Sequence, residues 1–381
     1  MIGRAQSKTF VPFLCAIALF VQVSPEQENS SQVTDSHPRL YWSVSPAYAA
    51  QLVNKHTKDD EERLQEAIAL KNAGKTNEAM KVLNSGIEKN PLSEQLHTLR
   101  AELRSNERNN EGAVADLNQS IALSPQRVEL FNKRARIFLR VSQLQAAEYD
   151  INHAFKLQPE NNEAITLRGG LYFKLDRLDS ALRELNRALA KDGKNALAYL
   201  YRGAVKFKKK QYKAAIEDYT KSIELDPTHK FAYQSRGCAY GECGDYKAAL
   251  RDFNLALKQV NVTPHIYFNR GRVYRLMKDY PNAVNDFTMA IRHGLAESDS
   301  TVPVFLERAM TYLAMGRTHQ AMIDVNHYLK SHIQDPRGYL LRANIYKQMG
   351  NIQAELKDSA KAKELGATVR GIRPAASTAQ E

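Results

Sequence analysis

Small apolar residues recur along this chain at a fixed spacing. Seven alanines lie 34 residues apart, and an eighth follows after 38 residues. They are Ala79, Ala113, Ala147, Ala181, Ala215, Ala249, Ala283 and Ala321. A period of this length predicts supersecondary units that stack on one another, because a single unit of this size cannot bury its own apolar face.

Other positions of the unit keep the same spacing. When the recurring alanine is numbered 20, position 8 is Ala or Gly in all nine units, position 27 is small in eight and position 24 is bulky in eight. Positions 20, 24 and 27 fall on one stripe of a helix. Small side chains let two helices cross closely, and bulky ones fill the space beside the crossing. We therefore expect two helices in each unit, A and B, and an all-α fold.

Turn and stop signals separate these helices. Glycine occurs between helices A and B in four units, and proline follows helix B in four of the first five units. Proline ends a helix because it lacks the amide proton and disfavours a helical residue before it. The residues concerned are Gly74, Gly244, Gly316 and Gly350, and Pro91, Pro125, Pro159 and Pro227.

This combination of small residues at positions 8, 20 and 27, aromatic residues at 11 and 24 and proline at 32 resembles the tetratricopeptide repeat. The resemblance covers residues 60–369 as nine repeats. Their predicted boundaries are 60–93, 94–127, 128–161, 162–195, 196–229, 230–263, 264–301, 302–335 and 336–369. It implies an α-solenoid, a right-handed superhelix of antiparallel helix pairs, with a last repeat polar enough to act as a C-terminal cap.

The flanks are short. Residues 1–25 form an apolar leader without acidic residues, residues 26–59 a polar linker, and residues 370–381 are expected to be a disordered tail. Arg4 and Lys8 precede the apolar run 10–23, a layout shared by signal peptides, short anchors and uncleaved starts. The location therefore stays open between the secretory pathway and the cytoplasm, cilium and cytoskeleton included.

Charged residues recur in phase with the repeat. Position 7 is arginine in eight units and position 23 is acidic in eight, which predicts structural ion pairs between helices A and B. The alternative is an arginine ladder that binds an acidic ligand. The central ladder residues are Arg202, Asp218, Arg236, Asp252, Arg270 and Asp286.

The resemblance also implies a partner groove. In tetratricopeptide repeats, positions 2, 5, 9 and 12 of the A helices line a concave face, which predicts a site for an extended or helical segment with apolar anchors and acidic flanks. At position 13, Arg140, Lys174 and Lys208 add positive charge along the rim. The candidate groove residues are Arg136, Phe173, Leu200, Phe207, Phe231, Phe268, Arg272, Arg275 and Asn344.

Catalytic motifs are missing from the sequence. It has no phosphate loop, no H-E-x-x-H, no C-x-x-C and no G-x-S-x-G, and no cofactor or metal is expected. The predicted function is a non-enzymatic scaffold or adaptor that binds other proteins and meets a membrane only through an uncleaved leader. Two alternatives stay open: a lumenal co-chaperone-like protein, and a basic solenoid that binds RNA or another polyanion, given the net charge of +12.

Overall fold

The computed structural model describes residues 58–258, 263–295 and 302–366. These residues form eighteen helices and no strand, so the prediction of an all-α repeat fold is confirmed. The leader and the tail lie outside the described residues, as does the linker except for its last two residues. None of the described helices has the length and hydropathy of a membrane span.

The helices follow one another along the chain as A and B members of nine repeats, and successive helices pack extensively against each other within each compact unit. The first begins at Lys58, two residues before the predicted start of the repeats. Their bounds are α1 Lys58–Asn72, α2 Thr76–Lys89, α3 Glu94–Asn106, α4 Asn110–Leu123, α5 Val128–Arg140, α6 Leu144–Leu157, α7 Asn162–Lys174, α8 Leu178–Lys191, α9 Ala196–Lys208, α10 Tyr212–Leu225, α11 Lys230–Cys243, α12 Tyr246–Leu257, α13 Pro264–Leu276, α14 Tyr280–Arg292, α15 Val304–Ala314, α16 Thr318–Ser331, α17 Pro336–Gln348 and α18 Ile352–Glu364.

Close helix crossings explain the small residues. A Cβ added to Gly271 at position 8 would lie 2.9 Å from the ring of Phe287 at position 24, and one on Gly169 would lie 2.6 Å from Leu185. These distances are shorter than van der Waals contact, so the bulky residue at 24 fixes the size of its neighbour at 8. The two helices of the hairpin can therefore pack this closely only if position 8 carries a small residue.

One repeat departs from the rule at position 27, where Tyr328 replaces a small residue. Its ring is buried, and its hydroxyl donates to Asp335 Oδ2 at 2.5 Å. Gly338 on the next helix leaves room for the ring, since a Cβ there would approach Tyr328 Cδ1 to 3.2 Å. The large residue at the crossing is thus offset by a missing side chain across from it.

Position 15, in the turn between helices A and B, adopts the left-handed conformation in every hairpin. Four of these residues are glycines, for which the conformation costs little. The other five bear side chains and carry some backbone strain. They are Arg108, Ser142, Asp176, Lys210 and Lys278.

The described residues fall into two compact units, divided within α9 between Val205 and Lys206. In the first unit, 58–205, the core is formed by clusters around Leu83, Phe131, Ile151 and Leu185. In the second unit, residues 206–366, the core clusters contain residues such as Phe253, Phe287 and Val325.

The last helix departs from the expected polar cap. Most of α18 is polar, but Ile352 is 67% exposed and Leu356 is 64% exposed. They lie four residues apart and so share one face of the helix. The final hairpin therefore presents an apolar strip that the sequence argument did not anticipate.

Candidate functional site

The recurring arginine of helix A forms an ion pair with the acid of helix B in the same hairpin. Arg270 Nε lies 2.7 Å from Asp286 Oδ2 and its Nη2 lies 2.7 Å from Oδ1, a two-pronged contact. The same pairing recurs in the described residues at Arg100–Asp116, Arg134–Asp150, Arg168–Glu184, Arg236–Asp252, Arg308–Asp324 and Arg342–Asp358. The aspartates are buried and Glu184 is partly buried, so the pairs lie inside the hairpins rather than on an open surface.

Six of these seven arginines also donate to a residue of the preceding hairpin. Arg270 Nη1 donates to Asn254 Oδ1 at 2.6 Å, and Arg236 Nη1 donates to Thr220 Oγ1 at 3.1 Å. The acceptor stands at position 25 of the preceding helix B. The arginine therefore connects neighbouring repeats as well as the two helices of one repeat.

Aromatic rings enclose the same guanidinium groups. The Arg270 guanidinium carbon lies 5.8 Å from the ring centroids of both Tyr267 and Tyr274, at positions 4 and 11. The sequence argument missed this role for the aromatic residues, and it missed the acceptor at position 25. Both recur with the 34-residue period, so alignment of the repeats by every position would have revealed them.

Two further ladder residues, Arg202 and Asp218, make contacts of their own. Arg202 donates to Asn186 Oδ1 at 2.9 Å and lies 5.3 Å from the ring of Tyr199. Asp218 lies 2.7 Å from Lys206 Nζ. Arg202 thus makes the same position-25 and position-4 contacts as the other arginines of the ladder.

The partners around each acid of the ladder determine the direction in which its pKa is shifted. Burial raises the pKa of Asp286, and the hydrogen bonds from Arg270 offset only part of this effect. At Asp116 burial acts in the same direction, but His97, Arg100 and Arg104 outweigh it and lower the pKa of that carboxyl. One arginine thus offsets the effect of burial only in part, whereas two arginines and the hydrogen bond with His97 outweigh it.

A cleft of about 500 Å³ lies on the A helices of the first two hairpins. Its lining includes Leu64 and Ile68 from α1 and Thr98 and Glu102 from α3. These residues stand at positions 5 and 9 of their repeats, which are groove positions of the sequence argument. The cleft therefore lies at groove positions of two successive repeats.

Ion pairs frame this cleft. Glu102 accepts from Lys71 at 2.9 Å and also from Lys133, and Arg127 pairs with Glu94. Burial opposes ionisation of Glu102, but the two lysines outweigh it and hold the pKa of that carboxyl below its usual range. The cleft thus combines an apolar floor with a charged rim that is already paired.

The first compact unit holds three of the candidate groove residues. Arg136 is exposed and pairs with Glu163, and Phe173 is partly buried against the cluster around Leu185. Leu200 is only 4% exposed, so it contributes to the core instead of the groove. Leu200 was assigned to the groove because its register was known but its burial was not.

On the rim of the same unit, burial lowers the pKa of Lys174 to about 8. Arg140 is partly buried and has its pKa lowered by burial and by nearby Arg108 and Arg136. Position 13 therefore carries cations that are poorly solvated.

In the second compact unit, two candidates belong to the interior. Phe268 is 1% exposed and packs against Phe287, with their ring centroids 5.8 Å apart. Arg272 is 4% exposed and lies 3.7 Å from Glu307, which also pairs with Arg275 at 2.9 Å. Phe268 and Arg272 are therefore corrected from groove residues to buried ones.

The remaining candidates keep part of their surface accessible. Phe207 meets Tyr212 edge-on at 5.3 Å between ring centroids, and Phe231 lies 5.9 Å from the ring of His229. Asn344 is also partly exposed. Within the described residues, no group of three or more His, Cys, Asp or Glu side chains is placed to hold a metal ion.

Comparison with known proteins defines the class of the repeat. Family models described as "Tetratricopeptide repeat" match residues 132–196, 196–229 and 218–251. With the helical pairs of the described residues, these matches make the chain an all-α repeat protein. It contains tetratricopeptide repeats, which the family models match over residues 132–251.

Solved structures share the fold at low sequence identity. Cut9–Hcn1, a hetero-tetramer of the APC/C, matches with 14% identity and a TM-score of 0.64, over 77% of this chain and 56% of that chain. The human IFIT1 dimer with PPP-AAAA matches with 20% identity and a TM-score of 0.54, over 81% of this chain and 73% of that chain. This chain therefore spans little more than half the length of its first neighbour. Comparison with curated protein sequences gives no match.

Proposed function

We propose that this protein is a non-enzymatic scaffold that holds a peptide or helical segment of another protein against its A helices. Tetratricopeptide repeats support a role in protein interaction. The observation that carries the proposal is the cleft of about 500 Å³ on α1 and α3, lined by groove positions of two successive repeats. A cleft with an apolar floor and few polar groups is the usual form of a binding site.

The cleft favours a segment with apolar anchors. Leu64 and Ile68 lie one helical turn apart and are partly exposed, which suits the spaced anchors of a helix or an extended strand. The carboxylates of Glu61, Glu94 and Glu102 also line it. The lining cations Lys71 and Arg127 are paired with Glu102 and Glu94, so little positive charge is left for a polyanion such as RNA, and a protein segment is the better fit.

Peptide display against the full chain tests this proposal. Peptides selected on the unaltered protein are measured again on a variant with Leu64→Ser and Ile68→Ser, which removes the apolar floor. The matched control is Tyr149→Ser, because Tyr149 is 51% exposed on helix B of the same compact unit. Thermal melts establish that the variants remain folded.

We expect the selected peptides to bind the floor variant at least about tenfold more weakly, a loss of about 1.4 kcal/mol. The Tyr149 variant should bind like the unaltered chain. Equal binding to all three proteins would show that the peptides do not bind in the cleft. Failure to select any peptide above background would argue against a peptide-binding function altogether.

A further inference from the structure

Arg140 differs from the other well-buried arginines of its compact unit. It is the last residue of α5 and reaches back to the turn of the preceding hairpin, where its Nη2 donates to Ser105 Oγ at 2.7 Å and Asn110 Oδ1 at 2.6 Å. Both acceptors are uncharged. Its Nε is buried and has no hydrogen-bond partner in the described residues.

The same helix supplies a direct comparison. Arg134, six residues earlier, is also largely buried but gives two hydrogen bonds to Asp150, at 2.8 and 2.6 Å. A buried cation is normally compensated by an anion in this way. Arg140 has the burial of such a residue without the carboxylate.

The charged residues near Arg140 add to its uncompensated positive charge. Arg136 stands four residues earlier on the same face of α5, and Arg108 lies in the turn that Arg140 reaches, where it adopts a φ of 65°. Both act to lower the pKa of Arg140 through charge repulsion, after burial itself. Glu163 pairs with Arg136, and Arg140 receives no comparable partner.

We propose that Arg140, together with Arg108 and Arg136, forms an anion-binding site that takes a carboxylate side chain of a bound protein segment. The assignment to a protein segment rests on the proposed function. The site lies at the rim, at the C-terminal end of helix A. It adds a fixed contact for an acidic side chain of the segment to the apolar contacts of the cleft. Two uncharged acceptors already orient the guanidinium through Nη2, and neither neutralises its charge, which is left for the carboxylate of the ligand.

A single carboxylate fits this surface better than a nucleic acid backbone. The turn that contributes Arg108 also carries exposed Glu107 and Glu111. A chain of phosphates would extend beyond the arginines towards these acids, whereas a single carboxylate is short enough to contact the arginines alone.

The test compares the full chain with Arg140→Gln, which removes the charge but keeps a side-chain amide that can hydrogen-bond to Ser105 and Asn110. Arg183→Gln is the matched control, because Arg183 is exposed and contacts only Ser180 in the described residues. Melting temperatures are recorded in sodium acetate, in sodium phosphate and with an eight-nucleotide thymidine oligomer, each against sodium chloride at equal ionic strength.

Acetate should stabilise the unaltered chain and the Arg183 variant, with an apparent affinity at least about tenfold weaker for the Arg140 variant. An equal response in all three proteins, or no response in any, would overturn the site. Stabilisation by phosphate and the oligomer but not by acetate would overturn the carboxylate assignment and favour a nucleic acid ligand. Acetate binding needs no intact cleft, so this result is independent of the peptide experiment that tests the groove.

Discussion

The ion pair between Arg270 and Asp286 allows the role of the arginine ladder to be measured. Replacement of Arg270 by Met keeps a long apolar stem but removes both hydrogen bonds to Asp286, whose side chain is 1% exposed. It also removes the hydrogen bond to Asn254. The carboxylate then remains buried without its partner.

Breaking a buried ion pair from one side costs about 3–5 kcal/mol, because the remaining charge is uncompensated. We expect Arg270→Met to fall in this range. The double variant with Asp286→Leu should be more stable than the single one, because it removes the stranded charge as well. Such a coupling would be on the order of 2 kcal/mol.

The pH dependence has a definite sign. Burial already raises the pKa of Asp286, and loss of Arg270 removes the hydrogen bonds that oppose this. Just above the unfolded-state pKa of about 4, the folded variant therefore retains a proton that the unfolded chain has lost. Its stability should rise as the pH falls toward 4, and the deficit relative to the unaltered chain should shrink.

Urea unfolding measures the overall effect, and native-state hydrogen exchange locates it. Exchange should increase in α13 and α14, and in α12 through Asn254, because repeat arrays are stabilised by neighbouring contacts. Arg251→Met is the control, since Arg251 is exposed on α12. A loss below about 1 kcal/mol for Arg270→Met, or a double variant less stable than the single one, would refute the argument.

Three further changes test other features. Gly244→Ala should cost about 1 kcal/mol in urea unfolding without any clash, because a Cβ there meets nothing within 4 Å and only the φ of 81° is strained; a neutral effect would contradict this. Gly271→Ala should lower the melting temperature, because the new Cβ would lie 2.9 Å from the ring of Phe287, and the loss of stability should be about 1–3 kcal/mol. The double variant with Phe287→Leu should recover most of this loss. Lys174→Met should stabilise the chain at pH 7, and the gain should shrink as the pH rises from 8 towards 10.5. The reason is that a lysine with its pKa lowered to about 8 costs stability only while it stays protonated. A constant gain across that range would count against the lowered pKa.

The sequence predicted those features that depend on one helix or one hairpin. Position 8, position 20 and the stripe at 24 and 27 follow from helical periodicity, since each describes a face that must be buried. The pairing of Arg270 with Asp286 could be read in the same way, because both residues recur in phase. The fold class follows from these local rules.

Features that depend on the next repeat were harder to predict. Phe268 and Arg272 stand at groove positions, yet both are buried in the second compact unit, and register alone does not tell how closely the following hairpin approaches. Arg140 was expected on the rim, but its uncharged acceptors, Ser105 and Asn110, come from a different hairpin. Contacts of this kind vary from repeat to repeat, so a repeat pattern does not contain them.

The bond from Arg308 to Thr288, at 3.0 Å, joins residues 20 apart in sequence, whereas the corresponding bonds of other repeats join residues 16 apart. The two repeats are therefore separated by four additional residues in sequence, and the hydrogen bond between them is still formed. This one difference in length leaves the contact in place because the contact is made by side chains and not by the connecting backbone. A reporter peptide or a small folded domain inserted at this connection should leave the adjoining hairpins joined, which makes it a natural place to label the protein or to attach a second binding module.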